Sequence, residues 1–354
     1  MFDRHSLALS ELTIEITRKC PLKCLICSSN GGSSYTNELG TDELKRIISD
    51  AHTLGATTVS FSGGEPLEHS HITDLCRYAK KQALNVNVYT SGNALNENHL
   101  IGPIDENILA SFERMRLDKM IFGLQGPDEK VHDMITGVNG SFRNVIASIK
   151  RTVKRAIPTE IHSVPVRLNY KSLPRLVVLA RKLQIRQISL LRFVPQGRGE
   201  INKDILSLNR QELLTLKSMV KKMLDSKDPK IRIGAPFNAF GFSVGVRCAI
   251  GRSRATVRAD GCVFPCEAAK ELQGSFDNDL HTRSLRDIWE NSRLFEEARN
   301  ISHLIDKTVC KECRSFGKCG GGCLAQRFVR GSEERKILDP YCLKAGVIPK
   351  DVYT

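Results

Sequence analysis

Apolar residues in the first two hundred positions fall in short runs, separated by longer stretches where they return every three or four places. The short runs read as strands at 12–17 (LTIEIT), 57–62 (TTVSFS), 85–91 (NVNVYTS), 119–125 (KMIFGLQ), 160–168 (EIHSVPVRL) and 187–194 (QISLLRFV). Helical periods separate most of them. Thr41 reads as a helix cap with Asp42 and Glu43 in the first turn, where acids suit the helix dipole, and a second helix is expected near 70–82. Strands alternating with helices argue for an α/β fold with a parallel sheet, open or curled into a barrel. Chemistry in such sheets collects at the C-terminal ends of the strands. Five segments rich in glycine, cysteine or polar residues fall at those ends: KCPLKCLIC (19–27), SGGEP (62–66), TSGN (90–93), LQGPDE (124–129) and PQGRGE (195–200).

The pattern changes after residue 200. Residues 201–240 read as a connector with a helix near 210–226. From 245 glycine and cysteine become frequent, TVRADGCVFPC (256–266) reads as a hairpin turning at Asp260–Gly261, and 282–298 reads as one amphipathic helix. A boundary near 235–245 divides the chain into units at 8–235 and 240–346.

Composition narrows the class. The chain has 354 residues, 41% hydrophobic and 26% charged, an ordinary globular balance. No apolar run is long enough to span a membrane, and the N-terminus carries acids rather than the apolar core of a signal peptide, so a cytoplasmic protein is expected. Twelve cysteines in that compartment point to metal or redox work rather than disulfides. Three lie at 20–27, one at 76 and eight between 248 and 342, which suggests two metal-bearing regions. Cys76 falls on a helix's apolar face and reads as core. The formal charge of +14 suits acidic peptides, anionic lipid or nucleic acid. The basic residues are scattered rather than blocked, and metal-bound thiolates lower the balance, so a solvated basic surface is the leading account and nucleic acid is not the expected partner.

Cys20, Cys24 and Cys27 form C-x3-C-x2-C. A structural zinc site is closed by four ligands, and this loop offers three. Three thiolates suit a cubane iron–sulfur cluster that leaves one iron for an outside ligand.

This loop after a first strand resembles the signature of the radical SAM superfamily. The resemblance implies a partial (β/α)6 TIM-type barrel whose open iron is chelated by S-adenosylmethionine. One electron then cleaves the sulfonium bond, and the resulting 5′-deoxyadenosyl radical takes a hydrogen atom from substrate. Gly63, Gly64, Glu65 and Pro66 match the family's motif for the methionine amino group. Ser91 and Asn93 stand where ribose contacts belong, and Ile26 offers an apolar face to adenine. FGLQGPDEKVHDMITGVNGSF (122–142) resembles a stretch reading S-x-D-G and then H-D-x-x-R-G, with Gly123, Gln125 and Thr136 replacing the serine, aspartate and arginine. Gln125 is carried over as a cofactor contact.

The later cysteines resemble the SPASM extension, a small cysteine-rich α+β domain with two auxiliary 4Fe–4S clusters. Carried over, Cys248, Cys266 and Cys323 hold the first, and Cys310, Cys313, Cys319 and Cys342 the second, making three clusters with the barrel's own. Some relatives carry a further cysteine where Arg254 stands. The first auxiliary cluster therefore keeps an open iron, or takes Cys262, or takes a ligand other than cysteine. Cys262 is also a candidate hydrogen-atom donor to a substrate radical. Glu267, directly after Cys266, stands where sulfatase-maturing relatives place a proposed general base.

The implied function is an oxidoreductase-type radical SAM/SPASM enzyme that oxidises, cross-links or epimerises a residue of a peptide or protein. A reducing partner such as flavodoxin or ferredoxin would feed it. The cysteine loop begins at residue 20, which is read as leaving no room for an N-terminal winged-helix peptide-recognition module. The alternative is a dehydrogenase acting on a carbohydrate, nucleoside or tetrapyrrole. A remote alternative is a non-catalytic, zinc-bearing nucleic-acid-binding protein.

Overall fold

The computed structural model describes residues 8–32, 37–242, 248–272, 277–305, 310, 312–328 and 338–344. Its first half runs β1 (Glu11–Thr17), α1 (Thr41–Thr53), β2 (Thr58–Gly63), α2 (Ile72–Lys81), β3 (Asn85–Thr90), a small β4–β5 hairpin (Ala94–Leu95 and Ile101–Gly102), α3 (Glu106–Arg114), β6 (Lys119–Gly123), α4 (Glu129–Thr136) and α5 (Ser141–Lys154). It continues through β7 (Thr159–Ser163), α6 (Leu173–Lys182), β8 (Gln187–Leu190), α7 (Arg198–Ile201), α8 (Lys203–Leu206), α9 (Arg210–Leu224) and β9 (Lys230–Ile233). Beyond these lie β10 (Arg254–Val257), β11 (Val263–Phe264), α10 (Leu285–Asn291), α11 (Arg293–Ile305), α12 (Phe316–Cys319) and α13 (Leu324–Phe328).

Nine strands form one sheet in the order β11-β10-β1-β2-β3-β6-β7-β8-β9, parallel except for the antiparallel β10–β11 pair. β9 and β11 occupy the edges, so the sheet is a partial barrel and does not close on itself. The six strands read from the sequence are its centre. The three additions are β9, inside the expected connector, and the two strands of the expected hairpin, β10 and β11, of which β10 pairs in parallel with β1. The cysteine-rich hairpin thus continues the barrel's sheet.

The outer face holds the main core. Leu12, Ile14 and Ile16 of β1 are buried with Leu44 and Ile48 of α1, and Cys76 of α2 lies in the same core. Thr13, Glu15 and Thr17 are equally buried on the opposite face. A typical barrel interior is filled with branched apolar residues, so this polar inner wall is a departure.

Four elements differ from the expected ones. Gly40, not Thr41, caps α1, and its N–H donates to Glu43 Oε2 at 2.7 Å. β7 stops at Ser163, two residues before Pro165, which has no N–H for the ladder. β8 stops at Leu190, short of 194. The helix expected at 282–298 is two helices, because Ser292 turns extended and gives its hydroxyl to Asp277 at 2.8 Å, while Asp277 also accepts the Arg293 N–H.

Candidate active site and cluster-binding cysteines

The cysteine loop leaves β1 at Thr17 and is clamped by its backbone. The Gly32 N–H donates to the Arg18 carbonyl at 2.8 Å, closing the loop. The Lys23 and Leu25 N–H groups donate to the carbonyls of Thr136 and Ile135, at the end of α4. On another side Arg198 of α7 donates to the carbonyls of Cys24 (2.9 Å) and Gly31 (2.6 Å). Gly63 and Gly64 press against the chain leading into this loop. A Cβ on Gly64 would lie 2.2 Å from the Lys19 carbonyl oxygen, and one on Gly63 would lie 2.3 Å from that of Thr17. No larger residue fits without moving the loop.

Glu65 is fully buried, and its carboxylate is already occupied. Oε1 accepts from the Thr90 hydroxyl (2.7 Å) and the Leu67 N–H (3.4 Å), and Oε2 accepts from the Ser91 N–H (2.7 Å) and hydroxyl (2.6 Å). Four donors fill the lone-pair directions of a carboxylate. Burial pushes its pKa up to about 7, against hydrogen bonds from Ser91 and Thr90 that pull it down. Glu65 thus ties the loop after β2 to the loop after β3, and Pro66 beside it is buried at the start of a short helical turn. Ser91 gives its hydroxyl to that tie. Asn93 is fully buried, donating to the carbonyls of Ser91 and Ser141, and its Oδ1 has no hydrogen-bond partner among the described residues. Gln125 joins β6 to the segment after β7, where its Oε1 accepts the Val164 N–H at 3.0 Å. Ile26 lies half-buried in a small apolar cluster with Ile135, Val166, Phe193 and Leu206.

Whether these cysteines suit iron–sulfur clusters can be judged from the donors. Among the described residues no three His, Cys, Asp or Glu side chains converge on one point as a single metal ion requires. A cluster presents its irons at separate corners and makes no such demand. The cysteines are half-buried, apart from Cys310 and Cys323, which are buried, and thiols of one set lie within electrostatic reach of one another. Burial and Cys27 push the Cys24 thiol up to about 12, and Cys20 is pushed up by burial, Glu65, Cys24 and Cys27. Cys266 is driven far up by burial, Glu267, Cys248 and Cys323, which brings the first auxiliary set together. Cys310, Cys313, Cys319 and Cys342 line one cavity of about 170 Å3. Thiolates drawn out of water that repel one another need bound positive charge, and iron supplies it. The donor sets fit the clusters.

Cys262 answers to other neighbours: burial and Asp260 push its thiol up, Arg258 opposes, and Asp279 adds to the rise. Arg254, in β10, makes an ion pair with Glu11 at 3.1 Å. Glu267 spans two regions. Its Oε1 accepts the Thr13 hydroxyl of β1 at 2.8 Å, and its Oε2 lies 3.9 Å from Cys266 Sγ.

Thr13 belongs to a polar inner wall absent from the sequence expectations. Glu15 binds Ser29 at 2.8 Å and pairs with Lys270, which also donates to Ser29 at 2.5 Å. Glu160 on β7 binds Lys119 (3.0 Å), His162 (3.2 Å) and Ser189. Burial alone would raise the Glu160 pKa, but His162, Ser189 and Lys119 hold it well below the usual carboxylate range. Tyr89 stands 5.2 Å from His162, ring to ring, and its pKa is raised by burial and then by Glu267, Glu11 and Glu160. The signal was present in LTIEIT and NVNVYT. Both alternate polar and apolar, although buried parallel strands normally read as continuous apolar runs.

Residues 14–179 match the model of the radical SAM superfamily, and residues 248–319 match that of SPASM, an iron–sulfur cluster-binding domain. The chain belongs to the radical SAM superfamily. Cys323 and Cys342 lie just beyond the SPASM match. The fold is similar to Streptococcus suis SuiB bound to its precursor peptide SuiA, with a TM-score of 0.77 and 19% identity, covering 96% of this chain and 77% of that one. It is also similar to anSMEcpe with bound AdoMet, with a TM-score of 0.71 and 17% identity, covering 94% of this chain and 93% of that one. This radical SAM/SPASM protein is therefore an S-adenosylmethionine-dependent enzyme whose cofactors are 4Fe–4S clusters and S-adenosylmethionine. Among the described residues no helix is long and apolar enough to cross a membrane.

Proposed function

We propose that this enzyme modifies a residue of a peptide or protein by hydrogen-atom abstraction inside the barrel, in a net oxidation. Cys20, Cys24 and Cys27 hold the cluster that binds S-adenosylmethionine. Cys248, Cys266 and Cys323 hold the first auxiliary cluster, and Cys310, Cys313, Cys319 and Cys342 the second. The units at 8–235 and 240–346 are the barrel and the auxiliary domain, joined by the β1–β10 pairing. The bound cofactors supply one-electron cleavage and a carbon radical; a one-electron donor such as flavodoxin or ferredoxin feeds them.

The observation that carries this reading is Glu267. Its carboxylate lies between Cys266 and the inner wall at Thr13, which supports reading it as the group that takes a proton from a substrate held in the barrel. Gly63 and Gly64 keep the cysteine loop tight against β2, and Glu65 holds Ser91 in place. Ile26 supplies an apolar wall, Asn93 ties the loop after β3 to Ser141, and Gln125 ties the end of β6 to Val164. The peptide assignment draws support from the likeness in fold to SuiB, crystallised with its precursor peptide, and to anSMEcpe, crystallised with AdoMet and the Kp18Cys peptide. The net charge of +14 suits an acidic peptide.

The test uses anaerobically prepared, iron-reconstituted protein. About twelve irons per chain and dithionite-dependent release of 5′-deoxyadenosine are expected. A deuterated acidic peptide encoded beside this gene should then pass deuterium into 5′-deoxyadenosine. Full iron with no transfer from any such peptide, and transfer from a sugar, nucleoside or tetrapyrrole instead, would overturn the peptide assignment.

A further inference from the structure

Each of the three cysteine sets has a buried or half-buried arginine beside it. Arg198 grips the carbonyl of Cys24 at 2.9 Å, and Arg327 donates to Cys310 Sγ at 3.4 Å. The third, Arg192, follows β8 and reaches out of the barrel into the auxiliary region. Its side chain is 1% exposed and that of its partner Asp339 is 3% exposed. Nη1 and Nη2 each donate to an oxygen of Asp339 at 2.5 Å, and Nη2 also donates to Gln326 Oε1 at 2.6 Å. The Tyr341 ring lies against the guanidinium, 4.0 Å from its carbon.

Asp339 links the two auxiliary sets. Its Oδ2 accepts the Cys323 N–H at 2.5 Å, its Oδ1 accepts the Tyr341 N–H at 2.7 Å, and its carbonyl accepts the Cys342 N–H at 2.7 Å. Cys323 belongs to the first set and Cys342 to the second. The approach depends on Gly322, which has φ +85, and a Cβ there would lie 2.1 Å from Asp339 Oδ2. The carboxylate has thus filled its four acceptor directions.

The guanidinium has not filled its donors. Arg192 Nε is buried with no hydrogen-bond partner among the described residues. A buried charged donor without an acceptor is costly. The same Asp339 oxygen, Oδ2, accepts from Arg192 Nη1 and from the Cys323 N–H, so the guanidinium stands one carboxylate oxygen away from a cysteine of the first set.

We propose that Arg192 is a positioning residue that sets the reduction potential of the first auxiliary cluster. Its Nε–H donates to a sulfur of that cluster, and its pair with Asp339 holds the Cys323 and Cys342 segments at a fixed spacing. A positive charge and a hydrogen bond at a cluster sulfur both favour the reduced, more negative state, so they raise its potential. This inference rests on the assignment of Cys248, Cys266 and Cys323 to one cluster.

The test is an EPR-monitored redox titration of the full, iron-reconstituted chain as wild type, R192Q and R192K, with iron counted in each. In R192Q one auxiliary midpoint should move to more negative potential and the other auxiliary midpoint by less, while that of the S-adenosylmethionine cluster stays put. R192K, which keeps the charge, should recover most of the shift. In wild-type protein carrying 15N-arginine, pulsed EPR should show a nitrogen coupling on that auxiliary signal that R192K lacks; this readout decides the matter if R192Q does not load iron. Unchanged midpoints at full iron content, or a coupling that survives in R192K, would overturn the proposal. A wild-type protein holding only about eight irons would instead overturn the cluster assignment beneath it.

Discussion

Cys20, Cys24 and Cys27 share one loop, held by backbone hydrogen bonds from Gly32 to Arg18 and from Lys23 and Leu25 to α4, and by Arg198 on the Cys24 and Gly31 carbonyls. The auxiliary cysteines come from separate segments, and side-chain charge joins them: Arg192 to Asp339, Asp339 to Cys323 and Cys342, Arg327 to Cys310. In the first arrangement the three thiols come from eight consecutive positions, and α4, Arg198 and Gly64 only brace a loop that already holds them together. The second needs the barrel and the C-terminal region docked together before its thiols can meet. Loss of one side chain should therefore be felt locally in the loop and more widely in the auxiliary region.

The largest effect expected is from C24A. It should remove about four of roughly twelve irons and abolish 5′-deoxyadenosine release, while the auxiliary EPR signals persist. C266A should do the reverse, keeping S-adenosylmethionine cleavage while losing an auxiliary signal and the modified product. If C24A stripped all the iron, the two regions would not be independent.

Next comes E267Q. Loss of the proposed proton acceptor should cut product formation about 100- to 10,000-fold while 5′-deoxyadenosine still forms. Equal loss of both products would place Glu267 in structure alone.

E65Q probes the loop side. The Glu65 pKa rises from 4.5 to about 7 on folding. Between those values the folded state binds more protons than the unfolded one, so the contribution is full below pH 4.5 and is lost as pH rises through 7. The shift corresponds to about 3 kcal/mol. Stability of the wild type measured against that of E65Q in urea from pH 5 to 8 should fall with pH. Parallel curves would mean that Glu65 does not titrate in this range.

The smallest effect is expected from R254A. Arg254 is half exposed in its pair with Glu11, and such pairs contribute about 0–1 kcal/mol. Calorimetry should register a small change in melting temperature and iron analysis none. Loss of auxiliary iron would show that this position still serves the first cluster.

What the sequence determined by itself was whatever depends on neighbours along the chain. Six strands and most of their helices followed from periodicity, the three-cysteine loop from its spacing, and a buried Cys76 from its place on an apolar helix face. The family followed from the cysteine loop read together with SGGEP, and both family models match. Boundaries failed where one distant contact or one backbone group decided them, as at Gly40, Ser292 and the strand ends near Pro165. Only the tertiary structure decided that β10 lies beside β1, that Glu267 meets Thr13, that Glu65 spends its carboxylate on Ser91 and Thr90, and that Arg192 meets Asp339. Those pairings join residues far apart in the chain, and their energies come from burial and charge at the point of contact, which no local pattern of residues encodes.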